Sequence, residues 1–187
     1  MKRFLIGSLV GAILVFGWQS VAHMFMHHHD KSFKVAPDQE NTIATLSGIF
    51  KEEGRYLIPR SSLDASGEDM QKFEETMKGK PFAMVTYNLS HESNMGISVL
   101  RGFSTAFLSV LIFIWLLGRN PGGFGTVLFK GIGLGFLMFI YIFYNQNIWM
   151  QTPWSVISGE LIDCLVSWGL CGLWLGWWLN RSKPVTY

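Results

Sequence analysis

The chain has 187 residues and a net charge of +2; 49% of its residues are hydrophobic and 15% aromatic. So small a positive excess, with no basic patch interleaved with aromatics, excludes a nucleic-acid-binding role. Eleven of the 13 acidic residues lie between Asp30 and Glu92, leaving only Glu160 and Asp163 elsewhere, so long apolar runs fill the rest of the chain. That segregation excludes an ordinary soluble domain, whose charges spread over its whole surface.

In chain order, the first apolar run is Phe4–Met26. Three more follow: Ile97–Leu117, Thr126–Tyr144 and Val156–Leu179. Each is close to the roughly 20 residues a helix needs to cross a hydrocarbon core, where backbone groups must pair within their own segment. The first run, with Met1-Lys2-Arg3 before it and Ser20-Val21-Ala22 near its end, also resembles a cleavable signal peptide. It is long for such a segment and carries the packing pair Gly7 and Gly11, so its retention is expected.

The polar block, residues 27–96, reads as a small α/β domain. Pro37-Asp38 caps a helix predicted over Gln39–Glu53, with Ile43, Leu46, Ile49 and Phe50 as its apolar stripe and Gly54 as its stop. Arg55–Pro59 reads as a strand, Ser61–Gly67 as a loop, and Glu68–Lys78 as a second helix ended by Gly79. Phe82–Asn88 alternates like a strand able to pair with the first. Two helices on two strands make a thin core, near the lower limit for independent folding. Both cysteines, Cys164 and Cys171, lie in the last apolar run, so no disulfide framework supports this block, and the chain has no CxxC pair for thiol redox chemistry.

Orientation follows from the basic residues at the helix ends: Lys2 and Arg3, then Arg119 and Lys130, then Arg181 and Lys183. All fall on one side, which the positive-inside rule makes cytoplasmic. Residues 27–96 and the loop Asn145–Ser155 are then outside, with Trp149 and Trp154 at the outer interface and Trp115, Trp174, Trp177 and Trp178 at the inner one. Small residues at spacing four (Gly7 and Gly11, Gly131 and Gly135, Gly172 and Gly176) suit close helix packing in lipid. The expected fold is a membrane all-α bundle of four transmembrane helices: residues 1–26, an extracytoplasmic α/β domain at 27–96 between the first and second helices, and 97–187 holding the other three.

Charged groups inside a bilayer are costly, which singles out Glu160 and Asp163. On an ideal helix they share one face, about 100° wide, with Cys164, Ser167 and Cys171. At 1.5 Å per residue from Ser155 they lie roughly 8 and 12 Å below the outer interface. His23 and His27, at helical spacing near the outer end of the first helix, could join Glu160 and Asp163 as nitrogen and oxygen ligands for zinc, iron or manganese. The same groups could relay a proton. A plainer arrangement has Arg101 forming a buried charge pair with Glu160 or Asp163 while the histidines stay at the wet interface. On the wheel, His23 falls roughly 120–160° from the Gly7 and Gly11 face. The run His27-His28-His29-Asp30 reads as a solvated collar, in which His27 alone could serve a site.

Several enzyme templates fail. HExxH, an intramembrane GxSx with a partner histidine, and phosphate-cradling glycine loops are missing; a bis-histidine haem needs histidines on two facing helices at matched depth, and the third and fourth helices have none. Gly122-Gly123-Phe124-Gly125 after Pro121 is a tight turn.

The stretches GSLVGAILVFGW (Gly7–Trp18), VAPDQ (Val35–Gln39), EGRYLIP (Glu53–Pro59) and VSWGLCGLWLGWWLN (Val166–Asn180) resemble a family of small, uncharacterised bacterial inner-membrane proteins with four helices. These are packing and turn residues, so the resemblance implies a bacterial inner-membrane address and no particular chemistry. The reading that follows is a non-enzymatic accessory or assembly subunit of a larger envelope complex, in contact with the lipid bilayer and with a membrane-protein partner or its own copies. One alternative is a membrane protein that binds a divalent transition metal or another ligand at the outer His/Glu/Asp cluster. Another is a small proton-coupled transporter.

Overall fold

The computed structural model describes residues 2–26, 29 and 32–181, and its chain divides into two compact units, one of them Val35–Ser93.

That unit contains α2 (Gln39–Ile49), β1 (Gly54–Ile58), α3 (Gly67–Met77) and β2 (Ala83–Tyr87). The strands pair antiparallel, with Tyr56 opposite Val85. Asp38 caps α2 by accepting the Asn41 amide at 3.1 Å. Ser66 caps α3, accepting the Asp69 amide at 3.2 Å and donating to its carboxylate at 2.8 Å. The α2 helix stops at Ile49, four residues before the predicted end, because Phe50 turns into extended backbone. Its ring stacks on Tyr56 with centroids 3.9 Å apart and tilts against Tyr87, whose hydroxyl donates to Ser47 Oγ at 3.0 Å. Phe50 and Tyr87 are the unit's buried hydrophobics among the described residues, while Ile43 and Ile49 of the predicted stripe are exposed. An apolar period fixes a helix face, but this unit has too little opposite that face to cover it.

The other unit is helical: α1 (Lys2–Phe25), α4 (Met95–Leu117), α5 (Phe124–Met138), a π-helical turn (Phe139–Tyr144), α6 (Asn145–Met150) and α7 (Trp154–Asn180). Four helices, Lys2–Phe25, Met95–Leu117, Phe124–Met150 and Trp154–Asn180, are long and apolar enough to cross a membrane. The third runs past the predicted end at Tyr144, because the helix continues through the π-turn into Asn145–Met150. It stops where Gln151 takes a left-handed conformation (φ 51°), and Asn147 donates to the Thr152 carbonyl at 2.7 Å to close the end.

The helix α7 is the most buried of the four. It packs on α5 and on α1, and α1 packs on α4. The glycine pairs explain how closely the backbones approach. A Cβ on Gly131 would lie 2.6 Å from the Trp168 carbonyl oxygen, and one on Gly135 would collide with that of Cys164. From the other side, a Cβ on Gly176 would lie 2.9 Å from the Phe124 carbonyl. Gly7 and Gly11 of α1 sit against Trp178 and Val110. Between them lies a core that includes Ala12, Val15, Val110, Phe113, Trp168 and Leu175.

The first turn of α1 lies beside the last turn of α7. Arg3 donates to the carbonyls of Trp178 and Leu179 at 2.8 and 2.9 Å, Trp178 Nε1 donates to the Arg3 carbonyl at 2.9 Å, and Trp174 Nε1 donates to that of Gly7 at 2.9 Å. The Arg181 guanidinium stacks over Trp178, 3.6 Å from the ring centroid. Because α1 and α7 run antiparallel, the last turns of α1 meet the opening turns of α7 at the other end.

Candidate metal centre

Asp163 is the focus of that other end. It sits nine residues beyond Trp154, roughly 14 Å along α7, and is only 6% exposed. Burying a carboxylate this deeply requires partners for its oxygens. Trp18 Nε1 donates to Oδ1 at 3.2 Å, and His29 Nε2 bonds Oδ2 at 2.7 Å. Trp18 comes from α1, one face of which is drawn against α7 by Gly7 and Gly11. His29 comes from the segment after α1. The helix ends at Phe25, and beyond it the Ser32 amide donates to the His29 carbonyl while the His29 imidazole meets Asp163. Ser32 Oγ donates to the Val156 carbonyl at 3.4 Å, fastening the turn to the start of α7.

His23 completes the group. Its ring stacks on that of His29, with centroids 4.4 Å apart and planes 22° apart. Its Nδ1 lies 3.0 Å from the Gln19 carbonyl, and because a carbonyl only accepts, Nδ1 carries the proton and the lone pair of the neutral ring is on Nε2. One ligand atom from each of His23, His29 and Asp163 lies within 4.8 Å of the others. Burial falls across the group, from Asp163 through the half-buried His29 to the exposed His23, so the cluster opens at the His23 side. Two imidazole nitrogens and one carboxylate oxygen form a donor set suited to zinc, iron or manganese. The Gln19 carbonyl and the Trp18 indole give two of these ligands the outer hydrogen bonds that orient ligands at metal centres.

Of the residues expected from sequence, His23 and Asp163 are brought together. Glu160 lies one turn earlier on α7, half-buried, and is not in the group. His27 lies outside the described residues. Arg101 is exposed, and among the described residues no ion pair joins it to Glu160 or Asp163. Its neighbour Gly102 takes the position facing α1, where a Cβ would lie 2.9 Å from the Phe16 ring, which turns Arg101 outward by about 100°. The imidazole of His29 holds the place expected for that guanidinium.

Sequence reasoning missed His29 and Trp18. For Trp18 a signal existed: an indole N–H inside an apolar run needs an acceptor, and Asp163 is one of two acids outside the polar block. For His29 there was none, because its position depends on a turn that the histidine run does not specify.

Ser167, one turn below Asp163, is 3% exposed, and its Oγ has no hydrogen-bond partner among the described residues. No protein-family model, curated protein or solved structure matches this chain.

Proposed function

We propose that this chain is a multi-pass membrane protein that binds a divalent transition metal through His23, His29 and Asp163, without a catalytic role of its own. The observation that carries the reading is the convergence of the three ligand atoms within 4.8 Å around a buried carboxylate. Three protein ligands leave coordination positions for water or a carried ligand, and the exposed His23 edge gives access. The centre belongs to the outer face of a bacterial inner membrane, with both chain ends in the cytoplasm and residues 27–96 outside. That orientation is supported by Arg3 and Arg181 meeting on Trp178, and by the contact of Gly176 with Phe124, which brings the Arg119 connection to the same end.

Metal analysis of the purified protein after loading with zinc, manganese or ferrous iron tests the reading. Near-stoichiometric metal is expected, lost in His29→Ala and in Asp163→Asn. A wild-type protein that stays empty in all three loadings would sink it.

A second reading, the accessory or assembly subunit, is favoured by the Val35–Ser93 unit, which leaves Ile49 and Leu63 64% and 82% exposed. Purification under native conditions from the host should then recover a stoichiometric membrane-protein partner; recovery of the lone chain counts against it.

A further inference from the structure

The strong helix pairings run α5 to α7, α7 to α1 and α1 to α4, so the fourth side of the helical unit, between α4 and α5, is left open. A cleft of about 220 Å³ lies there. Phe113, Leu116 and Leu117 of α4 line one wall, and Gly133, Leu134 and Leu137 of α5 the other. Phe113 and Leu117 are buried and form its floor, whereas a Cβ on Gly133 would meet nothing within 4 Å, so the α5 wall is recessed there.

Among the described residues, the one charged group in this lining is Lys130. Its ammonium makes one long contact, 3.4 Å, to the carbonyl of Pro121, in the connection that also carries Arg119. The sequence holds no Asp or Glu between Glu92 and Glu160. These two cations therefore have no acidic partner anywhere in α4, the connection, α5 or α6.

A groove of hydrocarbon side chains that opens sideways from helices long and apolar enough to cross a membrane, with positive charge at one end that no acid of these elements compensates, is complementary to hydrocarbon joined to an anion. We infer that the α4–α5 cleft is a binding site for an anionic phospholipid: an acyl chain lies between Phe113 and Leu137, and the phosphate meets Lys130 with Arg119 close by. Water would leave the apolar walls wet, and a zwitterionic lipid brings a phosphate whose charge its own ammonium already balances. Basic residues near a membrane surface favour anionic lipid by about fivefold each. The cleft is remote in sequence from His23, His29 and Asp163 and does not depend on the metal reading.

The test is native mass spectrometry of the full chain, released from nanodiscs of phosphatidylglycerol and phosphatidylcholine in equal parts. The wild-type protein is expected to retain phosphatidylglycerol at least fivefold over phosphatidylcholine. Lys130→Gln should reduce that preference several-fold, and Gly133→Phe, which fills the recess, should reduce lipid retention of both kinds. Equal retention of the two lipids by the wild-type protein would overturn the assignment, as would an unchanged preference in Lys130→Gln together with unchanged lipid retention in Gly133→Phe. A wild-type dimer that Gly133→Phe splits into monomers would also overturn it, by showing that a second copy occupies the cleft.

Discussion

The helices α1 and α7 are fastened to each other at both ends, by different chemistry. Near the chain termini, the Arg3 guanidinium and the indoles of Trp174 and Trp178 all donate to backbone carbonyls. At the far end, Asp163 is held by the indole of Trp18 and the imidazole of His29. A peptide carbonyl neither gains a proton near neutral pH nor competes well for a transition metal, so the first clasp is fixed. A carboxylate and two imidazoles are groups that exchange protons and metals, so on the proposed reading the second both holds the helices and binds an ion. The same pair of helices thus carries one fastening that is purely structural and one that can respond to its surroundings.

The largest expected effect falls on the responsive end. Asp163→Asn should weaken metal binding by about 100-fold or more, since it removes a ligand, and outer hydrogen bonds alone are worth about 10–100-fold. Competition with a chromophoric chelator would measure it. In the wild-type protein, acidification should release the metal, because protons compete for the imidazole lone pairs. Occupancy that does not change as the pH is lowered would break the contrast between the two ends.

Trp18→Phe sharpens the comparison, because it removes only the hydrogen bond that orients Oδ1. Metal affinity should fall by about 10-fold with the ligand set intact. A fall as deep as that of Asp163→Asn would mean that the cluster acts as a packing lock rather than as ligands.

Trp178→Phe at the opposite end should lower unfolding stability in detergent by about 0.6–1.7 kcal/mol, the scale of interhelical hydrogen bonds in membranes. Metal affinity should stay within about twofold of the wild type. A larger drop in affinity would show that the two ends are coupled through α7.

The smallest effect is expected at Ser167. Its buried hydroxyl has no protein partner among the described residues, so Ser167→Ala should be neutral or stabilising by up to about 1 kcal/mol. A clear loss of stability would reveal a partner for that hydroxyl.

Sequence made much of the helical unit legible, because lipid-compatible length and small-residue spacing are local properties. All four helices, and the contacts made by Gly7, Gly11, Gly131, Gly135 and Gly176, follow patterns visible without coordinates. The importance of Asp163 was legible for the same reason: a carboxylate in an apolar run needs an explanation wherever it lies. Its partners were harder to find. His29 lies beyond the end of α1 at Phe25, where no helical spacing fixes its position, and Arg101 misses Asp163 because Gly102 takes the inward position on α4. Both outcomes depend on how helices meet, which no single helical wheel encodes. In the smaller unit the wheel misled in another way, predicting an apolar stripe on α2 from which Phe50 alone is fully buried.

The terminal clasp also constrains the order in which this protein can be made. Arg3 is bound by carbonyls 175 and 176 residues further along the chain, and Trp18 and His29 are bound by a carboxylate 145 and 134 residues away. When α1 leaves the ribosome, the helix that satisfies its arginine, its glycine face and its indole has not yet been synthesised. Until translation reaches α7, α1 must wait with its polar groups answered by water or by other partners. A ribosome stalled before Trp154 would leave a chain in which α1 cannot be fastened at either end.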